Sequence, residues 1–480
     1  MATPAPPTAT SASSPSDLQA ILTRMKRAQD KQGAPTLEKR IRCLERLERA
    51  VMDRKSAIAT AISLDFGTRS SHETMAGEVF TLVQAIRHTK EHLRDWMEPQ
   101  DREVGWAFLP SRAEVIPQPV GVVGIISPWN YPLLLTLSPL VAALAAGNRA
   151  MIKPSELVPE TVALICDLIA QLFSEDEVAV VTGGPDVGER FCRLPFDHLV
   201  FTGSARVGKQ VMRAASDNLV PVTLELGGKS PAIVGPDYPS RVAAARVMAG
   251  KLFNAGQTCI APDYALVPRE TLDEFVDCCK AAVAKLYPTI EKNADYTAIV
   301  SLHHLERLRA VIDDAARLGA RILELKPPDE RLEGTRKLSP TLVLNATDNM
   351  RVLKEEIFGP ILPVLTYSQL DEAIAYVNER PRPLALYYFG HKSAAIAHVL
   401  SQTVSGAVAI NETMLHALQA DLPFAGIGPS GMGHCYGLEG FQTFSKMKPV
   451  YWQSRIGAVG LLRPPYGKTA DRLLRLLIGK

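Results

Sequence analysis

Short apolar runs of β type alternate with helical stretches through the central part of this 480-residue chain. The first runs are Val120–Ile126, Ala150–Ile152, Val178–Val181 and His198–Phe201. A second set begins after Glu225 and comprises Pro231–Val234, Tyr264–Val267, Thr341–Leu344, Ile361–Leu365, Ala385–Phe389 and Ala407–Ile410. Because parallel strands need long crossover connections, this alternation predicts an α/β fold with parallel sheets covered by helices, in two domains that meet near Leu226.

The regions around these runs carry helical periodicity. Apolar residues recur at helical spacing from Leu37 to Ala61 and around Thr74–Trp96, among many charged residues. Further helices are predicted between the later strands, at Glu270–Lys285 and His303–Leu318. These stretches are expected to cover the sheets and to expose their polar faces to solvent.

Charge balance and cysteine usage limit the partners and the cellular environment. Fifty-three basic and 51 acidic residues give a formal net charge of +2, which lacks the basic excess typical of nucleic-acid binders. Seven cysteines are scattered without paired metal-ligand spacing. We therefore expect a cytoplasmic protein with no nucleic-acid partner and no metal site.

The chain ends carry no signal for membrane insertion. Residues 1–16 are rich in Pro, Ala, Ser and Thr, which predicts a disordered tail rather than a signal peptide. No apolar run reaches the roughly 18 residues that suggest a spanning helix, so no stable membrane anchor is expected. The Leu-rich stretch Leu473–Ile478 is compatible with contact to a membrane surface, but a packed terminal helix is the favoured interpretation.

A glycine-containing turn follows the His198–Phe201 run. Gly203 and Gly208 are separated by four residues and Lys209 follows, so the turn is close to a Walker A loop. Gln210, however, stands where a Ser or Thr hydroxyl would hold magnesium. The turn is therefore open to three interpretations: a phosphate site at a helix N-terminus, a nucleotide-hydrolase loop, or a plain tight turn.

Two further segments carry residue types that could bind a nucleotide or act as a nucleophile. Lys153 and Glu156 close a predicted strand at the sheet edge where open α/β folds bind nucleotides, although a surface pair that begins a helix is equally compatible. Cys259 lies in a polar stretch just past a glycine, unlike Cys166 and Cys192, which lie on apolar or helical runs. A reactive thiol and a structural one both remain open from these residues alone.

Seven motifs, taken together, resemble the aldehyde dehydrogenase superfamily in order and spacing. They are Pro128–Asn130, Lys153–Glu156, Phe201–Ser204, Leu224–Lys229, Gly256–Cys259, Glu355–Pro360 and Pro423–Phe424. The resemblance extends from about Met25 to Lys448, and the stretches Gly256–Tyr264 and Ser430–Gly433 resemble the class 3 branch. Arg463–Gly467 and the chain length are similar to bacterial coniferyl aldehyde dehydrogenases. Ala425 departs from the glycine that many relatives have at that position.

The resemblance implies roles for individual residues. Cys259 would be the nucleophile, Glu225 the general base and Asn130 the oxyanion donor. The cofactor would be NAD, with NADP left open. The cofactor-binding residues would be Gly203, Ser204 and Gly208 at the pyrophosphate, Lys153 and Glu156 at the adenosine ribose, and Glu356 and Phe358 at the nicotinamide end. Trp129 and Lys229 belong to the motifs but keep a structural interpretation.

The family fold also implies a domain plan. A Rossmann-like NAD(P)-binding domain would comprise residues 17–100 and 119–225, and the catalytic domain residues 226–446. A small β bridging element, residues 101–118 and 447–453, would contact a second subunit of a homodimer, and residues 454–480 would form a C-terminal tail.

The expected reaction is oxidation of an aromatic, cinnamyl-type or medium- to long-chain aliphatic aldehyde to its acid. Glu225 argues against a CoA-acylating relative, in which this base is generally absent. Two alternatives stay open: a nucleotide hydrolase that uses the Gly203–Lys209 turn, and a catalytically silent structural homologue.

Overall fold

Three β-sheets organise the described part of the chain, residues 15–456 and 458–479, in a computed structural model. Its α-helices are α1 (Pro15–Gln32), α2 (Leu37–Asp53), α3 (Lys55–Phe66), α4 (Ser71–Thr74), α5 (Thr81–Met97), α6 (Leu134–Ala145), α7 (Pro159–Leu172), α8 (Pro185–Cys192), α9 (Ala205–Ser216), α10 (Ser240–Leu252), α11 (Leu272–Leu286), α12 (Leu302–Arg317), α13 (Arg351–Lys354), α14 (Leu370–Asn378), α15 (Ser393–Gln402), α16 (Gly437–Thr443) and α17 (Lys468–Ile478).

The strands are β1 (Gln100–Arg102), β2 (Arg112–Pro119), β3 (Val122–Ile126), β4 (Arg149–Lys153), β5 (Val178–Val180), β6 (His198–Thr202), β7 (Val222–Glu225), β8 (Pro231–Val234), β9 (Tyr264–Pro268), β10 (Arg321–Glu324), β11 (Thr341–Leu344), β12 (Ile361–Tyr367), β13 (Ala385–Phe389), β14 (Ala407–Ile410), β15 (Gly431–Met432) and β16 (Ser445–Trp452). A π-helix, Met75–Phe80, precedes α5, and short 3₁₀ turns lie at Trp106–Phe108, Phe253–Gly256, Arg269–Thr271, Leu415–Leu418 and Ala458–Leu462.

The first sheet has the strand order β15-β7-β6-β3-β4-β5 and is parallel except for β15. Helices cover both of its faces. Val123 and Ile125 of β3 pack into one apolar core with α2, α3, α5, α6 and α7, whereas Val122 packs into a second core with α1, α8 and α9. Burial on both faces explains why these strands are continuously apolar in sequence.

The second sheet has the order β10-β11-β12-β9-β8-β13-β14 and is parallel except for β10. Strands β8, β11, β13 and β14 coincide with the predicted runs, and the α/β fold of two helix-covered sheets is confirmed. The predicted helical stretch from Leu37 to Ala61 divides into α2 and α3 at Arg54, whose φ and ψ of −102° and 7° are not helical.

A third sheet, β1-β2-β16, is antiparallel and joins residues far apart in sequence. Arg112 of β2 pairs with Trp452 of β16, and Pro119 pairs with Ser445. Its strands overlap the residues predicted for the bridging element, 101–118 and 447–453, although their pairing could not be derived from sequence. Contact of this sheet with a second subunit stays a prediction.

Residues 431–446 differ from the predicted assignment to the second domain. Strand β15 pairs with β7 of the first sheet, and Phe441 and Phe444 lie in the core beneath that sheet. The chain therefore returns to the first sheet before it enters β16, because these aromatic side chains are buried against α5 and α6.

The chain ends are described only in part. The first 14 residues of the predicted tail lie outside the described residues, and α1 begins at Pro15. Within the described ranges, no helix is both long and apolar enough to cross a membrane.

Candidate active site

The ends of four parallel strands bring predicted site residues to one edge of the first sheet. Asn130 follows β3, Lys153 ends β4, Gly203 follows β6 and Glu225 ends β7. Because neighbouring parallel strands end at the same edge, these residues converge although they span almost a hundred positions.

Cys259 reaches this edge from the second domain on an unusual backbone turn. Asn254 and Ala255 have positive φ angles of 52° and 50°, and Gly256 follows with 74°. A Cβ at Gly256 would overlap the carbonyl oxygen of Gly359, so only glycine fits there. The turn places partly exposed Cys259 in the wall of a cavity of about 420 Å³, together with Glu225.

Asn130 is tied to the cysteine-bearing loop. Its buried side-chain Nδ2 donates to the carbonyl of Gln257 at 3.1 Å, two residues before Cys259. The Nδ2 of Asn254 in turn donates to the carbonyl of Asn130 at 3.0 Å. This places the predicted oxyanion donor beside the predicted nucleophile, and one bond to Gln257 uses only one of the two amide hydrogens.

The thiol of Cys259 is protonated in this arrangement. Its pKa is raised to about 12, mainly by burial and to a smaller extent by the nearby carboxylates Glu356 and Glu225. Formation of the thiolate therefore needs a base or a positive charge brought next to the sulfur.

Glu225 is buried and has no basic partner among the described residues. Its Oε1 accepts a hydrogen bond from the thiol of Cys435 at 3.8 Å, and its Oε2 has no hydrogen-bond partner. Burial raises the pKa of this carboxyl well above its usual value. A carboxylate in such a place holds a proton strongly, which suits a general base.

The predicted pyrophosphate turn lies at the N-terminus of α9. Ser204 is the N-cap residue, and its Oγ accepts from the backbone N–H of Val207 at 3.4 Å. A Cβ at Gly203 would lie 2.6 Å from the Phe201 ring, and one at Gly208 would lie 2.8 Å from Leu226. These glycines allow close packing of the turn, and the first N–H groups of α9 are available to an anion.

Lys153 and Glu156 form an ion pair at the same sheet edge. The Lys153 Nζ lies 3.0 Å from the Glu156 Oε2. The lysine side chain is buried, whereas 40% of the Glu156 side chain is exposed. The carboxylate is therefore accessible to a ligand, as a ribose-binding group must be.

Glu356 and Phe358 approach the site from the second domain. A Cβ at Gly227 would overlap the Glu356 carboxylate, and the backbone of Gly228 donates a hydrogen bond to it. Burial, reinforced by Asp263, raises the pKa of Glu356 to about 8. The Phe358 ring packs edge-on at 5.3 Å from the ring of Trp129.

Lys229 has structural contacts, as its sequence interpretation suggested. Its Nζ forms an ion pair with Asp263 and donates to the carbonyls of Val352 at 2.9 Å and Glu355 at 3.0 Å. Asp263 accepts from the backbone N–H of Ile357 at 3.0 Å. These contacts hold the segment that carries Glu356.

The cavity beside Cys259 is mostly apolar. Its acidic residues are Glu225 and Glu412, and among the residues that the structure describes no lysine or arginine lines it. The larger apolar side chains of its wall are Leu134, Leu135, Phe253, Met414, Leu415, Leu418, Leu422 and Phe424. Such a wall favours neutral ligands with aromatic or aliphatic groups and disfavours those that carry an acidic group.

Several residues around the site were not found from sequence. Arg69, Glu73 and Glu78 contact Asn130, Asn254 and the start of α6, and Cys435 contacts Glu225. They lie in helical stretches or loops without a motif. No local pattern distinguishes them from ordinary helix or core residues, because their contacts cross distances of up to 210 positions.

The family model described as "Aldehyde dehydrogenase family" matches residues 3–450. The chain is 50% identical over 457 residues to a "Probable coniferyl aldehyde dehydrogenase" of Pseudomonas aeruginosa, covering 95% of both chains. It is 47% identical to a "Coniferyl aldehyde dehydrogenase" of a Pseudomonas species, covering 96% of both chains.

A similar solved structure is the substrate-bound state of Staphylococcus aureus AldH, with a TM-score of 0.91, 36% identity and coverage of 96% of this chain and 99% of that one. A Mycobacterium tuberculosis aldehyde dehydrogenase complexed with NAD+ has a TM-score of 0.84, 26% identity and coverage of 93% and 92%. The chain belongs to the aldehyde dehydrogenase family. It is an oxidoreductase that acts on aldehydes.

Proposed function

We propose that this enzyme oxidises an aldehyde to its carboxylic acid with NAD, through a thiohemiacetal and a thioester on Cys259. The observation that carries the proposal is the meeting of Cys259 and Glu225 in one cavity, with Asn130 bonded to the cysteine-bearing loop. The three residues come from separate parts of the chain: Asn130 follows β3, Glu225 ends β7, and Cys259 follows the turn after α10.

The chemistry follows from the positions of these groups. The Cys259 sulfur bonds to the aldehyde carbon as its proton leaves to a base, and the developing oxyanion is stabilised by the Asn130 amide and the backbone N–H of Cys259. When bound, NAD would supply the acceptor for the hydride that leaves that carbon. Glu225 then takes a proton from water, the resulting hydroxide adds to the thioester carbon, and the C–S bond breaks to release the acid.

The residues at the sheet edge fit a dinucleotide. The N-terminus of α9 offers N–H groups to the pyrophosphate, and Gly203 and Gly208 keep the approach open. Glu356 has a buried Oε1 without a hydrogen-bond partner, as expected for a group that receives ribose hydroxyls. The exposed Glu156 carboxylate would accept the adenosine ribose hydroxyls and repel a 2′-phosphate, so NAD is preferred and NADP is a weaker alternative.

The substrate class is a neutral aldehyde with an aromatic, cinnamyl-type or aliphatic group. The cavity volume of about 420 Å³ lies within the range of roughly 300–1,000 Å³ for small-molecule sites. Its apolar wall supports this class, and the names of the Pseudomonas relatives support coniferyl aldehyde within it.

The two alternatives have less support. A nucleotide hydrolase needs a hydroxyl for magnesium, and Gln210 occupies that place on α9. A silent homologue would normally have lost the chemical groups, whereas Cys259, Glu225 and Asn130 are retained.

A homodimer is part of the proposal. Large apolar side chains are exposed on and beside the third sheet: Trp106, Leu109, Tyr451, Trp452 and Ile456. Large exposed apolar side chains concentrated around one small sheet support a protein interface there. We also propose a cytoplasmic location, on the scattered cysteines of the sequence.

The test compares Glu225→Gln with Cys259→Ala in rapid-mixing experiments with NAD and cinnamyl, benzylic, aliphatic and acid-bearing aldehydes. Glu225→Gln should give a burst of NADH followed by turnover slowed about 10²–10⁴-fold, because only hydrolysis needs the base. Cys259→Ala should bind NAD but form no NADH. A variant of Cys259 with near-normal turnover, or loss of the burst in Glu225→Gln, would overturn the proposed order of steps.

A further inference from the structure

We propose that Arg69 is a positioning residue for Asn130, and that the buried Arg69–Glu78 ion pair sets the geometry of the oxyanion donor. The inference rests on the proposed role of Asn130 and extends it to groups that do not touch the substrate. It starts from an ion pair that is completely enclosed beside the active site.

The contact is made through the backbone of Asn130. The Nη1 of Arg69 donates to the Asn130 carbonyl at 3.0 Å and also to the Glu78 Oε1 at 2.9 Å. The Nδ2 of Asn254 donates to the same carbonyl at 3.0 Å. Two donors occupy both lone pairs of that oxygen and fix the peptide plane after Asn130.

Glu78 holds the next residues of the same segment. Its Oε2 accepts from the backbone N–H of Leu133 at 2.8 Å and of Leu134 at 3.1 Å, at the start of α6. The segment 130–134 is therefore held at its first carbonyl by Arg69 and at its last N–H groups by Glu78. The Asn130 side chain leaves the backbone directly before the first of these anchors, next to the carbonyl that Arg69 holds, and donates to the carbonyl of Gln257.

The ion pair is a poor source of stability. Both side chains have 0% exposure, and the Nε and Nη2 of Arg69 have no hydrogen-bond partner. The Tyr131 and Phe66 rings lie 4.8 and 5.2 Å from the guanidinium and offset part of the desolvation cost. Since a buried ion pair is often no more stable than an apolar pair of the same volume, its use here lies in placing the backbone.

Placement matters because oxyanion donors act over a narrow range. Such a group must be held within about 0.5 Å and 10–20° of its productive position. A displacement of about 1 Å costs on the order of 10²-fold in rate. Without the Arg69 hydrogen bond, the Asn130 carbonyl would be held only by the hydrogen bond from the Asn254 side chain.

The variants Arg69→Met and Arg69→Met/Glu78→Gln separate positioning from stability. Both should slow single-turnover NADH formation about 10- to 100-fold, with the NAD dissociation constant unchanged within about twofold. The double variant should regain thermal stability, because it no longer buries an unpaired acid, but not the rate. Arg69→Lys, which keeps a donor, should lie between wild type and Arg69→Met, and it carries the test if Arg69→Met does not fold.

Arg40 supplies a matched control. It is also buried and donates to backbone carbonyls, those of Pro35 at 3.0 Å and of Ala145 at 2.8 Å, the latter at the far end of α6. Arg40→Met should lower stability without changing the rate per folded molecule. An equal loss of rate in Arg40→Met and Arg69→Met would make the Arg69 effect a structural one and overturn the proposal.

A double-mutant cycle with Asn130→Ala gives the decisive readout. Asn130→Ala alone should slow NADH formation about 10²–10³-fold, and adding Arg69→Met should slow it little further. If Asn130→Ala is slow but Arg69→Met is normal, or their effects multiply, the Arg69 proposal fails while the proposed mechanism stands. If Asn130→Ala keeps the normal rate, the oxyanion role of Asn130 fails, and the inference about Arg69 with it.

Discussion

Replacement of Glu73 by glutamine should make the protein increasingly stable relative to wild type as the pH rises from 4.5 to about 7. Glu73 is 8% exposed on α4. Its Oε2 accepts from the backbone N–H of Asn254 at 3.1 Å and from the Thr297 hydroxyl at 2.9 Å. The acid therefore lies directly behind the turn that carries Cys259. Glutamine keeps an acceptor oxygen but has no proton to lose.

The expected magnitude follows from the pKa of Glu73. Burial, only partly offset by Arg69, raises this pKa from its ordinary 4.5 to about 7. Since the folded state holds the proton more tightly than the unfolded state, the stabilising contribution is complete below pH 4.5. It is lost as the pH rises to about 7, by roughly 3 kcal/mol at about 1.36 kcal/mol per pH unit. Glutamine does not titrate, so the stability of the Glu73→Gln variant does not decrease in this way.

The assay is urea unfolding of wild type and Glu73→Gln at several pH values between 4.5 and 8. The free energy of unfolding of the variant, relative to wild type, should rise by roughly 3 kcal/mol across this range. Glu48→Gln is a control that should lack this rise, because hydrogen bonds from Lys90 and Arg87 lower the pKa of Glu48 and its contribution changes only below about pH 4.5. A difference between Glu73→Gln and wild type that stays constant with pH would refute the reasoning.

Three further substitutions test the site. Gly227→Ala should leave the fold intact but weaken NAD binding about tenfold, because its Cβ displaces the flexible carboxylate of Glu356; titration calorimetry measures this. Glu156→Ser should move the kcat/KM ratio toward NADP by removing charge repulsion, without changing the NADH burst. Cys435→Ser should shift the acidic limb of steady-state kcat to lower pH, since a hydroxyl is a stronger donor than a thiol to ionised Glu225.

Each of these predictions has a clear contrary result. Unchanged NAD affinity in Gly227→Ala would mean that Glu356 does not contact the cofactor. A cofactor ratio unaffected by Glu156→Ser would remove that carboxylate from ribose recognition. An acidic limb that Cys435→Ser leaves in place would show that the thiol does not influence the base.

Local features of the sequence were enough to locate most strands of the two helix-covered sheets. Strands such as Thr341–Leu344 and Ala385–Phe389 are short apolar runs between helical stretches. Such a pattern can be recognised in the sequence without knowing which residues are neighbours in space. The residues around Cys259 left a reactive and a structural thiol both open, and only the resemblance to the aldehyde dehydrogenase superfamily favoured the reactive one. The predicted end of the Ala150–Ile152 strand also placed Lys153 and Glu156 at the sheet edge where open α/β folds bind nucleotides.

The tertiary structure decided which groups meet and what their environment does to them. Asn130 donates to Gln257, Glu225 accepts from Cys435, and Arg69 is enclosed with Glu78 beside the Asn130 carbonyl. The sequence likewise did not predict the π-helix that carries Glu78 or the return of β15 to the first sheet. Hydrogen bonds and desolvation act over a few ångströms in space, whereas a sequence pattern records only neighbours along the chain, so the pKa values and the positioning contacts of this site arise only on folding.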